Sequence, residues 1–266
     1  MTWTMWKHYK DEAPFLGGIF AWTAFDYRGE TTPWNWPAVI SQYGAMDLCG
    51  FEKDAFYFWQ SCWLDKPMVH MLPHWNHPGK EGTMIQIDAY RNCEEVELFI
   101  NGVSHGKKAH TKGLINSWNV SYEPGNAKIV AYNNGGIAAE DEVTTVGDPY
   151  AIRLSLMHKG EREVLIKAEI IDESGYTCPT SDNEINFSII SDDCNEDKFR
   201  ILGTANGNPS NHDLPNKSSI KAFNGLAQVI IASDQPVSNL ENQVPGVTLA
   251  AISEGLICGS IKIFSH

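Results

Sequence analysis

Hydrophobic spacing changes near Pro67. Before it, in "GFEKDAFYFWQSCW", apolar residues recur at three- and four-residue steps, which puts Ala55, Phe56, Trp59, Cys62 and Trp63 on one face of a helix. The pattern predicts a helix that begins after Gly50 and stops before "LDKP", because Pro67 disfavours helical geometry at the residue before it. Upstream, the short apolar run from Gly17 to Phe25 ("GGIFAWTAF") is bounded by glycines and predicts a fully buried strand. Strand, polar-aromatic loop and helix make one β/α unit. A single unit of this kind cannot bury both faces of its strand, so residues 1–66 read as part of something larger.

After Pro67 the period becomes two. In "MIQIDAY", Ile85, Ile87 and Ala89 alternate with polar neighbours, and in "EVELFINGVSHG" a strand runs into Asn101-Gly102, a strong hairpin signal. "INSWNVSY" and "AKIVAYNNGG" continue the pattern, so residues 67–147 predict a β-sandwich. A second all-β block, residues 148–266, follows "VGDPY". Its expected strands are "AIRLSLMH", "EVLIKAEIID" (Val164, Ile166, Ala168 and Ile170 facing one way), "EINFSII", "LAQVIIAS", "VTLAAIS" and "CGSIKIF". "GTANGNPSNHDLPNKSS" reads as a long polar loop at a sandwich edge. The expected fold class is therefore mainly β, two consecutive Ig-like β-sandwiches preceded by a β/α unit.

Composition agrees with a folded chain: 266 residues suit two or three units, and 42% apolar residues provide buriable surface. A formal charge of −13 argues against nucleic acid, whose binding depends on lysine and arginine displacing phosphate counterions. No run is long and apolar enough to span a membrane, and the first residues lack the pattern of a secretory leader, which leaves localisation open. The six cysteines form no C-x-x-C pair and read mostly as buried thiols. Spacing alone allows Cys178 and Cys194 to pair in an oxidising compartment.

Candidate chemistry concentrates in "GGIFAWTAFDYRGETTPWNW", where Trp22, Asp26, Tyr27, Arg28, Glu30, Trp34 and Trp36 crowd together as a buried run gives way to a loop. Aromatic planes bind the CH faces of sugars while nearby acids take their hydroxyls, which suits a carbohydrate subsite. The same composition suits tryptophans packed under a loop with acids pairing Arg28 or capping a turn. His74 and His77 have a spacing compatible with a metal but no third ligand, and Pro78 makes their segment a turn. Calcium in the acidic run "SDDCNED" competes with a plain solvated loop. No metal or cofactor is assigned.

The stretch from "GGIFAWTAFDYRGETTPWNW" to "GFEKDAFYFWQSCW" resembles the last β/α unit of the catalytic barrel of glycoside hydrolase family 2, particularly bacterial β-galactosidases. "PHWNHPGKEG…VELFING" and "RILGTANGNPSNHD…KAFNGLAQVII" resemble the two sandwiches that follow that barrel. The resemblance implies that residues 1–66 close a (β/α)₈ barrel whose site lies at the carboxyl ends of its strands. It implies that Trp22 lines the subsite of the sugar being cleaved, a β-galactoside or related glycan, with Asp26 and Glu30 bracing that wall.

The family's retaining hydrolysis needs two glutamates, the acid/base one after an asparagine. In this chain Asn183-Glu184 lies in the terminal block and Asn195-Glu196 in an acidic loop, so the resemblance implies that the catalytic pair is absent and the chain alone is inactive. It also implies a C-terminal piece whose open barrel strand is a surface for self-association. Another class of function is a non-catalytic carbohydrate-binding or scaffold module presenting Trp75, Trp118 and Tyr122 to a glycan.

Overall fold

The structure, a computed structural model, describes residues 20–109, 115–191, 198–233 and 247–263, together with residues 9, 12, 13, 15–18 and 236. Contacts divide the chain into two compact units, one of Met1–Asp26, Tyr43–Met46 and Glu52–Thr145, the other of Tyr27–Gln42, Asp47–Phe51 and Val146–His266. Residues 1–66 are thus shared between the two units.

In the first unit a helix, α1 (Asp54–Trp63), is followed by strands β1 (Val69–Leu72), β2 (Met84–Arg91), β3 (Glu95–Ile100), β4 (Val103–Ala109), β5 (Asn116–Ser121), β6 (Asn126–Asn133) and β7 (Gly136–Thr144). They form an antiparallel sheet of order β1-β2-β5 and another of order β4-β3-β6-β7. Period two explains the pairing: Ile87 and Ala89 of β2, and Val96, Leu98 and Ile100 of β3, are buried while Asp88, Glu97 and Phe99 between them are more exposed. Asn101 (φ 49°) and Gly102 (φ 80°) make the β3–β4 turn with two left-handed residues, the geometry that matches strand twist.

Trp75, Trp118 and Tyr122 are at most 4% exposed, which removes them as glycan-presenting groups. Burial is possible because each polar handle is satisfied internally. Trp75 Nε1–H donates to the Glu123 carbonyl at 3.0 Å, Trp118 Nε1–H to the Gly106 carbonyl at 3.1 Å, and the Tyr122 hydroxyl sits 3.3 Å from Thr145 Oγ1. His77 packs edge-on against the Trp75 and Tyr122 rings, and among the described residues no three His, Cys, Asp or Glu converge on a metal position.

The second unit contains β8 (Ala151–Lys159), β9 (Glu163–Ile171), β10 (Glu184–Ser191), β11 (Phe199–Ala205), β12 (Ser219–Lys221), β13 (Leu226–Ser233), β14 (Val247–Ile252) and β15 (Gly259–Lys262). Its antiparallel sheets have orders β11-β13-β9-β8 and β12-β10-β14-β15. Val164, Ile166, Ala168 and Ile170 of β9 all point into the core. The head of the expected polar loop, Gly203–Ala205, instead completes β11, so the loop proper begins at Asn206. Asn183-Glu184 marks the entry to β10. Cys178 is a buried free thiol; Cys194 and most of the acidic run lie outside the described residues.

Two expectations upstream of Pro67 need correction. The Gly17–Phe25 run is not a buried strand: Phe20 is 100% exposed and Phe25 51%, and its pairing in named bridges is limited to Phe25 with Met46. Ile19 lies outside the described residues. The reason is that the described chain lays partners along one side of the segment and leaves the other open. The helix forms as predicted in type, but its one buried residue is Phe58; Ala55 and Trp63 are exposed, and Phe56, Trp59 and Cys62 half-buried. The apolar stripe borders an open cavity, while the opposite side packs on the sandwich. There the Phe58 ring meets Tyr90 edge-on and Tyr57 stacks on His70 at 3.8 Å.

His70 fastens α1 to the sheet. Its Nε2 is 3.1 Å from Asp54 of α1, and its Nδ1 is 3.5 Å from Asp141 of β7, which also accepts the Met71 N–H at 2.7 Å. Burial pulls the imidazole pKa down, but hydrogen bonds and charge from Asp141 and Asp54 outweigh it and hold the pKa above its ordinary value. Burial likewise raises Asp141, but His70 and the Met71 N–H outweigh it and the carboxyl ends below its usual range. A raised histidine contributes stability that is full below its unfolded pKa and lost as pH rises through the folded one. A lowered aspartate contributes stability present above its unfolded pKa and lost as pH falls through the folded one. The cluster therefore stabilises most between about pH 4 and about pH 6.5. His70→Phe, which keeps a stacking ring, is expected to lower the thermal midpoint most near pH 5.5 and least near pH 8.5; a pH-independent difference would refute the ion-paired account.

Candidate functional site

The segment Ala21–Asp26 is fixed by its backbone and by one carboxylate. The Thr23 and Ala24 carbonyls accept the Ala45 and Met46 N–H groups, each at 2.9 Å, and the Asp26 N–H donates to the Met46 carbonyl at 2.9 Å. The two stretches approach so closely at Gly44 that a Cβ there would lie 2.2 Å from the Asp26 nitrogen and 2.4 Å from the Phe25 carbonyl carbon. Glycine is required at this position because it has no such atom.

Asp26 is 6% exposed, so its charge must be met inside the protein. The Lys53 ammonium meets both of its oxygens at 2.8 and 2.9 Å, and the Gly44 N–H donates to Oδ1 at 2.8 Å. Lys53 immediately precedes α1, and its own N–H donates to the Ala45 carbonyl at 3.0 Å. One carboxylate therefore ties the end of the extended segment, the returning strand-like stretch and the start of the helix together.

Trp22 projects from this fixed backbone with 73% of its surface exposed, and the peptide that follows it is cis. Ala21 and Thr23, on either side of it, line an apolar cavity of about 370 Å³ with Met46, Phe56, Trp59 and Trp63. Trp22 does not line that cavity. Ala24 lines it as well, so Trp22 alone of the residues from Ala21 to Ala24 is turned away from it.

Glu30 belongs to the second unit. It is exposed and accepts the Tyr27 hydroxyl at 2.6 Å. The chain from Tyr27 to Ser41 folds back on itself: the Ser41 N–H donates to the Tyr27 carbonyl at 2.7 Å, Tyr27 N–H to Ser41 Oγ at 3.1 Å, and Gly29 N–H to the Val39 carbonyl at 3.0 Å. This arm is bound to the loop after β11. The Pro209 carbonyl accepts the Val39 and Ile40 N–H groups at 2.8 and 3.2 Å, and His212 Nε2–H donates to the Pro37 carbonyl at 2.7 Å. Gln228 of β13 adds a bond to the Cys49 carbonyl at 3.0 Å.

That loop is rigidified by its asparagines. Asn206 Oδ1 accepts the Asn208 N–H, Asn208 Oδ1 the Ser210 N–H, and Asn211 Oδ1 the Asp213 N–H, three turns in which a side chain mimics a backbone acceptor. The structure thus brings Trp22 and Asp26 together in one unit and puts Glu30 in the other. Sequence reasoning missed Gly44, Lys53, Pro209 and His212. The asparagines recurring at steps of two and three residues are the signal that would have marked the loop as built rather than merely polar.

The sequence and the fold match known proteins. Residues 151–257 match the glycoside hydrolase family 2 C-terminal domain 5, and residues 82–139 match a domain of unknown function, DUF4982. The chain is 39% identical over 257 residues to the β-galactosidase BoGH2A of Bacteroides ovatus, covering 94% of this chain and 28% of that protein. It is 31% identical over 139 residues to a β-glucuronidase of Bacteroides fragilis, covering 50% of this chain and 19% of that protein. A β-glycosidase of Bacteroides vulgatus superposes with a TM-score of 0.83 at 34% identity, over 95% of this chain and 31% of that one. The chain belongs to glycoside hydrolase family 2 and corresponds to the C-terminal part of its members. It spans less than a third of the length of these relatives.

Removing one partner of a buried ion pair leaves an uncompensated charge, at a cost of about 3–5 kcal/mol. Lys53→Met is expected near the lower end of that range, since the Lys53 side chain is 32% exposed and partly screened. The double variant Asp26→Asn/Lys53→Met should recover part of the loss. Urea unfolding checks this, and equal destabilisation by the single and double variants would refute the charge argument.

Proposed function

We propose that this chain is the C-terminal portion of a retaining family 2 β-galactosidase and supplies one wall of its sugar site but not its reacting carboxylates. On this reading residues 1–66 are the last β/α unit of the catalytic barrel, and residues 67–147 and 148–266 are the two sandwiches that follow it. Trp22 forms the apolar wall against the sugar being cleaved, while Asp26 and Glu30 hold the wall and its loop.

The carrying observation is Trp22 itself: a large ring 73% exposed on a backbone pinned at Asp26 by Lys53 and Gly44. A backbone fixed before a sugar arrives loses little freedom on binding it. Retaining hydrolysis needs a nucleophile and a proton donor about 5–5.5 Å apart. In this segment Asp26 is consumed by Lys53 and Glu30 is engaged by Tyr27, so neither fits those roles. The nucleophile and acid/base would come from earlier barrel strands, and the chain by itself would bind without turning over.

A β-galactoside is favoured as substrate by the 39% identity to a β-galactosidase over nearly the whole chain. Lys53 is neutralised by Asp26, which leaves that cation unavailable to a glucuronide carboxylate and suits an uncharged sugar better. The exposed Phe20 and Phe25 are consistent with a surface that earlier barrel elements, or a second copy, would cover.

The test uses a longer protein that includes the earlier barrel strands. Trp22→Ala should lower kcat/KM on nitrophenyl β-galactoside roughly 10- to 100-fold, the effect of losing one stacked ring, with little change in thermal midpoint. An unchanged kcat/KM would remove Trp22 from the site. Faster turnover of nitrophenyl β-glucuronide than of the galactoside would overturn the assigned substrate.

A further inference from the structure

The second unit carries a pair of exposed tryptophans that have no part in the wall formed by Trp22. Trp36 is 77% exposed and Trp34 is 54% exposed, both on the arm that folds back between Tyr27 and Ser41. Neither is loose. The Trp34 N–H donates to the Thr31 carbonyl at 2.7 Å, and Thr31 Oγ1–H donates to the Trp34 carbonyl at 3.0 Å, closing a tight turn from both sides. Ala38 N–H closes the next turn onto the Asn35 carbonyl at 3.1 Å.

Trp36 is braced from the sandwich. The His212 ring meets it edge-on with centroids 4.4 Å apart at 66°, and the same imidazole donates to the carbonyl of the next residue, Pro37, at 2.7 Å. His212 stands on the asparagine-laddered loop whose Pro209 carbonyl takes the two N–H groups just beyond, at Val39 and Ile40. One edge of the indole is thus fixed while most of its surface stays in water.

Leaving so much aromatic surface exposed on a braced scaffold forgoes the hydrophobic gain of packing it. A flat indole face suits the apolar CH face of a pyranose, and bracing means that little side-chain entropy remains to be lost on contact. The carboxylate of Glu30, on the same arm and itself exposed, supplies the acceptor type that sugar hydroxyls need.

We propose that Trp36, positioned by His212, is a saccharide-stacking platform in the second unit, taking an uncharged β-linked sugar, and that the loop from Asn206 to Asp213 makes the terminal sandwich part of substrate binding. This rests on the reading of the chain as belonging to a β-galactosidase. Trp36 would be the contact and His212 a positioning residue acting through it.

The test is calorimetric titration of the full 266-residue chain with lactose, alongside tryptophan emission. Millimolar binding is expected, weakened roughly tenfold or more in Trp36→Ala, which removes an exposed ring and should leave unfolding unchanged. His212→Ala should weaken binding by a smaller factor, and His212→Phe, which restores the edge-on ring, should recover much of it. That recovery separates positioning from general destabilisation.

No binding by the wild-type chain, or equal binding by Trp36→Ala, would overturn the platform. Binding lost in Trp22→Ala but kept in Trp36→Ala would overturn it too while leaving the proposed function intact. Binding that depends on Trp36, together with a longer protein that hydrolyses no β-galactoside, would uphold the platform and sink the enzymatic reading.

Discussion

A carboxylate held at 6% exposure cannot remain charged in a protein without a partner, and the way Asp26 meets that demand organises the candidate sugar wall. Its oxygens reach Lys53 and the Gly44 N–H, so three stretches distant in sequence are joined at one point. Gly44 must lack a side chain for the approach, and Lys53 must precede α1 for its ammonium to arrive. Trp22 can then stand exposed on a rigid base, which a binding surface requires and a packed core would not provide. The same ion pair occupies both oxygens of Asp26.

The second unit solves a related problem with neutral groups. The arm carries exposed aromatics, and beside the buried Ile40 it is anchored largely through backbone carbonyls and N–H groups. Pro209 presents its carbonyl to two successive N–H groups, and asparagine side chains keep that loop in shape. The terminal β-sandwich thereby has a direct structural hold on the arm from Tyr27 to Ser41.

Much of the fold was legible because period-two burial is strong in central strands. β2, β3, β6, β9 and β13 lie inside their sheets, and each was marked by alternating or continuous apolar residues. The strands that escaped notice, β1, β7, β11 and β12, all lie at sheet edges. β7 has no fully buried residue, and β1 and β12, four and three residues long, are too short for a period to stand out. Trp75 and Trp118 misled for the opposite reason. Whether an aromatic residue is a core filler or a ligand platform depends on where its N–H can find an acceptor, and those carbonyls, at Glu123 and Gly106, lie 48 and 12 residues away. Composition marked Trp22 and its acidic neighbours as candidates, but Lys53 carried no mark that it would neutralise one of them from 27 residues away.

The central claim is that binding surface and reacting carboxylates are divided, with this chain holding only the former. Nitrophenol release from nitrophenyl β-galactoside, measured side by side for the purified 266-residue chain and for a longer protein carrying the earlier barrel strands, tests it most directly. The account predicts turnover by the longer protein and none by the chain above a mock-purified control. Turnover by the chain alone, abolished by no removal of a contaminant, would contradict it.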